Sequence, residues 1–134
     1  MSAESSWELQ QAIYDALTGD STLMAMVQGV HDHVPQGAAF PYVTIGEAMA
    51  SDWSAVGLSG IESSLVLHVW SRERGRKEAK LIMAEMHRIL DDADLTLAGH
   101  VLVSLRFRFS HTVLDADGVI YHGVANYHAM THTA

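Results

Sequence analysis

The chain has no cysteine and only two prolines among 134 residues. Without thiols it has no disulfide framework, no thiolate zinc site and no cysteine nucleophile. It also lacks an apolar run near the ~20 residues a bilayer-crossing helix needs, each candidate being broken by glycine or by residues such as Glu62, His68 and Arg72. Met1 to Ser6 is polar with no basic segment ahead of an apolar core, so no secretory signal is expected and a cytoplasmic origin fits. Basic residues are scarce: eight Lys and Arg stand against sixteen Asp and Glu, a formal net charge of -8. Broad binding to nucleic acid draws its affinity from cations on phosphates, and this balance argues against it.

What is present suffices for one core. Hydrophobic residues make up 49% of the chain, and a chain of this size buries roughly two-thirds of its unfolded surface. A single domain over residues 1–134 is therefore expected.

Ser5-Ser6-Trp7-Glu8 has the form of a capping box. The helix it opens carries Leu9, Ala12, Ile13, Ala16 and Leu17 on one stripe, and Gly19 offers a left-handed end. Asp20 or Ser21 caps a second turn with Leu23, Met24 and Val27. Val30 to Val34 suits a brief strand, Pro35, Gly37 and Pro41 an irregular connection, and Tyr42 to Ile45 a short strand. Ala48 to Gly60, rich in serine and glycine, predicts a long loop holding Trp53, Val56 and Leu58. Its tryptophan either forms a contact arm or folds back onto the core.

Ile61 to Ser71 alternates as a strand, with Leu65, Leu67 and Val69 opposite Val66, His68 and Trp70. A central helix over residues 75–92 stripes Ala79, Ile82, Met83, Met86, Ile89 and Leu90 along one side. Val101, Val103, Leu105, Phe107 and Phe109 alternate with Leu102, Ser104, Arg106, Arg108 and Ser110, the pattern of an antiparallel strand with one buried face. Asp117-Gly118 predicts a hairpin turn into a last strand from Val119 to about Met130. The expected fold is α+β: a mainly antiparallel four-stranded sheet packed against the N-terminal helix and the central helix as a two-layer sandwich.

No catalytic set emerges. His31-Asp32-His33, and His128 with His132, have no third ligand at metal-site spacing. Asp115-Ala116-Asp117-Gly118 opens like a calcium loop but reaches Asn126 where a bidentate glutamate belongs. Ser110, His111 and Asp115 lack the glycine-flanked elbow of a nucleophilic triad. His68 and Trp70 read most simply as core or interface residues. No cofactor, metal or catalytic residue is expected.

The basic residues are unevenly placed. Arg72, Arg74, Arg76, Lys77 and Lys80 crowd the entry to the central helix. Cations there oppose the helix macrodipole. Either they are a solvated face, with Glu73 and Lys77 as an i,i+4 pair, or they await acidic groups of a partner or neighbouring subunit. A confined basic edge on an acidic protein suits head-to-tail association.

Several stretches together resemble a known family. They are Ala12 to Leu17, Val30 to Val34 with Pro35-Gln36-Gly37 and Pro41-Tyr42-Val43, His68-Val69-Trp70-Ser71, Glu78-Ala79-Lys80 leading to Leu90-Asp91-Asp92, and Asp117-Gly118 followed by His122-Gly123-Val124. In these the chain is similar to the small tail-completion proteins of long-tailed phages and gene transfer agents, along nearly its whole length. The pattern consists of packing and turn residues. The resemblance implies a tail terminator, an α+β virion subunit made in the bacterial host cytoplasm. Such subunits assemble as a hexameric ring on the tail tube, stop its growth and meet the head-side connector or stopper protein. DNA would pass through the lumen without specific binding. On this view Arg72, Arg74, Arg76 and Lys77 meet acidic groups across the ring, and the loop with Trp53, Val56 and Leu58 touches a tube or connector subunit. Another neck component, such as a head-completion or stopper protein, shares the same features. So does a small α+β ligand-binding domain or enzyme, which needs a closed polar pocket.

Overall fold

The computed structural model describes residues 5–134; the polar residues 1–4 read above lie outside the described residues. In chain order the elements are α1 (Ser6–Thr18), α2 (Ser21–Met24), β1 (Val30–His31), β2 (Tyr42–Asp52), β3 (Gly60–Ser71), α3 (Lys77–Leu90), β4 (His100–Leu114) and β5 (Tyr121–Thr133). The sheet has five strands in the order β1-β2-β3-β5-β4. β1 runs parallel to β2 and every other pair is antiparallel. The α+β class is as expected, but the sheet is five-stranded and mixed, because the brief strand at Val30 pairs with Val43 and adds an edge.

One core joins the layers. Leu9, Ile13 and Leu17 of α1 and Ala79, Ile82, Met83, Met86 and Leu90 of α3 are buried with Val43, Leu67, Val69, Leu105, Ala125, Tyr127 and Ala129 of the sheet. Gly123 of β5 lets α3 approach: a Cβ there would meet the Met83 sulfur at 2.9 Å.

The helix starts differ from the local signals. No capping box forms at α1. The Ser5 hydroxyl is buried and bonded to Thr131 Oγ1 at 2.6 Å, and Glu8 lies 3.2 Å from His100 Nε2. Both groups thus find partners on β5 and β4 instead of on their own backbone. Gly19 ends α1 at φ -81, a right-handed geometry. Its lack of a side chain serves close approach, since a Cβ would sit 3.0 Å from the Asp15 carbonyl oxygen. Asp20 does cap α2, accepting from Leu23 N at 3.0 Å. Gly75, at φ 84, delays α3 to Lys77.

The sheet also exceeds its sequence signals. β2 continues to Asp52, so most of the expected 48–60 loop is a hairpin whose ladder to β3 runs as far as Asp52 and Ile61. Backbone bonds to β3 override the weak strand propensity of Ala48, Ala50 and Ser51. In β4 the strict alternation does not produce one buried face. Irregularities between Leu102 and Ser104, and between Phe107 and Phe109, each insert a residue, and each extra residue turns the following side chains to the other face. Leu105 is fully buried, whereas Val103 and Phe109 are 52% and 54% exposed.

This difference is measurable by denaturant unfolding. Leu105→Ala should cost about 2–5 kcal/mol, while Val103→Ala should stay within about 0.5 kcal/mol. Equal losses would mean that β4 runs without its first bulge.

Candidate assembly interface

α1 and α3, with α2 packed against both, cover the sheet face that carries Leu67 and Tyr127, so the other face must satisfy its groups by itself. Register sets Tyr42, Trp70 and His122 in one row and Thr44, His68 and Val124 in the next. The Trp70 and His122 rings stack with centroids 3.8 Å apart, and Trp70 Nε1 donates to Thr44 Oγ1 at 3.0 Å. His68 Nδ1 and His122 Nε2 are 2.6 Å apart, and His68 Nε2 meets Glu47 Oε1 at 2.9 Å. Glu47 reaches there because β2 bulges between Ile45 and Ala48. Gly46 makes room, since a Cβ at that position would lie 2.5 Å from the His68 ring. Farther along, His128 bonds Glu62 at 2.8 Å and Asn126 donates to Ser64 at 3.0 Å.

Hydrogen-bond chemistry fixes the protons of this ladder. A carboxylate only accepts, so His68 Nε2 carries a hydrogen toward Glu47. The contact between His68 and His122 needs one hydrogen between its two nitrogens, so both rings cannot be fully protonated while it persists. The carboxyl of Glu47 is held below its ordinary value by backbone and His68 hydrogen bonds. Burial first, and then the neighbouring His68, holds His122 below its ordinary 6.5. With His68 bonded through both ring nitrogens, the face offers an aromatic and polar surface. It does not aim a free base into a cavity. Among the described residues no three His, Asp or Glu side chains gather as a metal set, and no helix is long and apolar enough to cross a membrane.

The basic cluster lies at the β3–α3 junction. Arg72, Arg74, Arg76, Lys77 and Lys80 are exposed. The Arg72 guanidinium sits 5.5 Å from the Phe40 ring centroid and that of Arg76 5.5 Å from the Tyr121 centroid. Among the described residues none of the five lies within ion-pair distance of a carboxylate; by contrast Arg88 is held by Asp20 and Glu85, and Arg106 by Asp91. The expected Glu73–Lys77 pair does not form. Instead the Glu73 backbone N–H donates to Ser71 Oγ at 3.2 Å, and Ser71 Oγ donates to Glu78 Oε1 at 2.7 Å. Burial, with Glu73 beside it, pushes the Glu78 carboxyl up.

The hairpin between β2 and β3 divides the other expected contact residues. Trp53 folds back: its Nε1 donates to Thr131 O at 2.9 Å, and its ring lies where a Cβ on Gly60 would stand 2.4 Å away. Leu58 is half-buried, and Val56 projects from the tip at full exposure. The structure therefore keeps Trp53, Val56 and Leu58 together at one end of the sheet, and Arg72, Arg74, Arg76 and Lys77 together at another.

Comparison with known proteins decides the family. The model of the family described as tail completion protein gp17 matches residues 11–132. The chain belongs to that family. It is similar to a chain in the virion of the native gene transfer agent (GTA) particle, with a TM-score of 0.89 and 26% identity, covering 98% of this chain and 99% of that one. It is also similar to the gp17 protein of bacteriophage SPP1, with a TM-score of 0.65, 25% identity and coverage of 96% and 95%. No curated protein matches it. This tail completion protein thus has a structural role in virion assembly, consistent with surfaces built for contact.

Sequence reasoning singled out the basic cluster but not the ladder of Glu47, His68 and His122. The one available signal was His68 and Trp70 two residues apart on a strand; the rest arises from register between strands distant in the chain.

The ladder gives this tail completion protein a defined pH response. An unfolded chain protonates His122 near 6.5, whereas the folded chain resists until lower pH, so stability is full above that value and declines as pH falls below it. The groups facing this ring are His68, Asp115, His111 and Glu47, with Trp70 stacked on it. Unfolding measured between about pH 7.5 and about pH 5 should show the decline, and His122→Gln should flatten it. A profile identical in wild type and variant would remove His122 from that response.

Proposed function

We propose that this tail completion protein is the tail terminator: a single-domain subunit that closes head to tail into a hexameric ring, caps the tail tube, and joins it to the head-side connector or stopper protein. The observation that carries this reading is the set of exposed cations at the start of α3. Among the described residues Arg72, Arg74, Arg76 and Lys77 form no ion pair with a carboxylate, Arg72 only lying near enough to Asp117 to lower that carboxyl, although the chain carries a net charge of -8. Their clustering at a helix N-terminus costs a few tenths of a kcal/mol each. Acidic groups of an adjacent copy would offset that cost. The Trp53 hairpin, with Val56 at its tip, then reaches a tube or connector subunit, its fold held rigid by the Trp53 bond to β5. The excess of acid over base leaves DNA free to pass the lumen, because retention requires cations on phosphates. The ring sits at the neck of a virion or virion-like particle and is assembled from protein made in the bacterial host cytoplasm. The role needs no cofactor and no catalysis.

Electron microscopy of the protein mixed with its cognate tail-tube protein tests this reading. Tubes should end in one extra ring and stop lengthening. Replacing Arg72, Arg74, Arg76 and Lys77 with glutamate should abolish the ring while the subunit still folds, since carboxylates suit a helix start. Uncapped tubes of unchanged length with the wild-type protein would move the assignment to another neck component, and a normal ring from the variant would remove the charge contact.

A further inference from the structure

The cations of this chain are confined by position, whereas its carboxylates are spread along it, six of them within residues 72–108. Residues 1–71 hold eight of the sixteen carboxylates and no Lys or Arg; all eight Lys and Arg lie in residues 72–108. The fold turns this order into geometry. α1 makes its main sheet contacts with β1 and β2, toward one edge, although its start reaches β4 and β5 through Glu8 and Ser5; α3 packs over β3, β5 and β4, and β4 is the opposite edge.

Each edge carries a surface whose charges are mostly unpaired among the described residues, His87 with Asp91 at 3.6 Å being the exception. Between α3 and β4 runs an open groove of about 640 Å³. Met83 and Phe107 line it with apolar surface, Arg76, Lys80, His87 and His111 line it with basic groups, and no carboxylate is among its lining residues. At the other edge the outer side of α1 exposes Trp7 (60%) and Tyr14 (40%) beside Asp15, with Asp32 next to them just after β1. That surface has aromatic and acidic groups and no cation.

We infer that the α3–β4 groove receives the Trp7, Tyr14, Asp15 and Asp32 face of the next copy of this chain. The inference rests on the ring reading and names its contact. Aromatic side chains find the apolar lining of Met83 and Phe107, and the two aspartates find Arg76 and Lys80. Because the two surfaces lie at opposite edges, one subunit cannot satisfy both, and a two-fold contact would set like against like. Only a head-to-tail contact pairs them, and such a contact closes as a ring when its rotation permits. Side chains carry it in place of strand addition, since β1 has two residues and β4 is bulged twice.

The natural absence of cysteine makes the test direct. Gln11→Cys and Ser110→Cys in one chain place a thiol on each surface. Oxidation of the purified protein, and of particles carrying it at the neck, should give a disulfide ladder that ends in a closed ring, with each single-cysteine variant forming no covalent dimer. Adding Arg76→Glu and Lys80→Glu should cut that ladder about tenfold or more, and adding Asp15→Lys and Asp32→Lys as well should restore it. Equal dimers from a single-cysteine variant would overturn the inference in favour of a two-fold contact. Rings at the neck that do not crosslink would overturn the groove contact alone, whereas necks without a ring would overturn the terminator reading beneath it.

Discussion

Everything in this molecule follows from hydrophobic burial on one side of a sheet. The stripe of Ile82, Met83 and Met86, with Leu9, Ile13 and Leu17, closes over Leu67, Val69, Leu105 and Tyr127 to form the core. With α1 and α3 on that side, the remaining face must satisfy aromatic and titratable side chains among themselves. The Glu47–His68–His122 ladder with Trp70 stacked on it is that solution. It leaves the face polar and aromatic, a chemistry suited to contact with other chains.

The same economy governs the edges. A five-stranded sheet leaves two, and each is blunted in a different way, one by a strand of two residues and the other by repeated bulges. Such edges disfavour backbone pairing with another chain, so the assembly proposed above uses side-chain surfaces that carry charge. The electrostatics are divided along the chain in the same sense, with cations confined to the part that builds α3 and β4. Exposed edges of unlike chemistry accord with the structural role of the tail completion family to which the chain belongs.

How much of this was legible beforehand depends on the range of the interaction. Local periodicity identified α1, β3 and α3, since Leu9, Ile13 and Leu17, or Leu65, Leu67 and Val69, reveal a buried face through their own spacing. Asp20 as a cap and Asp117-Gly118 as a turn were equally readable, because each acts on a neighbour: Asp117 accepts from Val119 N and Ile120 N. Interactions between distant residues were not. Ser5 and Glu8 spell a capping box but are claimed by Thr131 and His100, and the β4 bulges break an alternation that Val101 to Phe109 keeps without fault in the sequence. The candidate surfaces divide likewise. Arg72 to Lys80 stand out as a run of charge, whereas the groove needs Phe107 and His111 of β4 to meet Met83 and His87 of α3, which only the fold brings about.

The central claim is that copies of this chain join acidic edge to basic edge. A reconstruction of the assembled particle's neck that resolves side chains tests it most directly. The account predicts successive copies related by one rotation, with Asp15 and Asp32 of each lying against Arg76 and Lys80 of the next and every subunit in the same environment. Copies related by two-fold axes, or a ring in which the cations at the start of α3 face solvent, would contradict it.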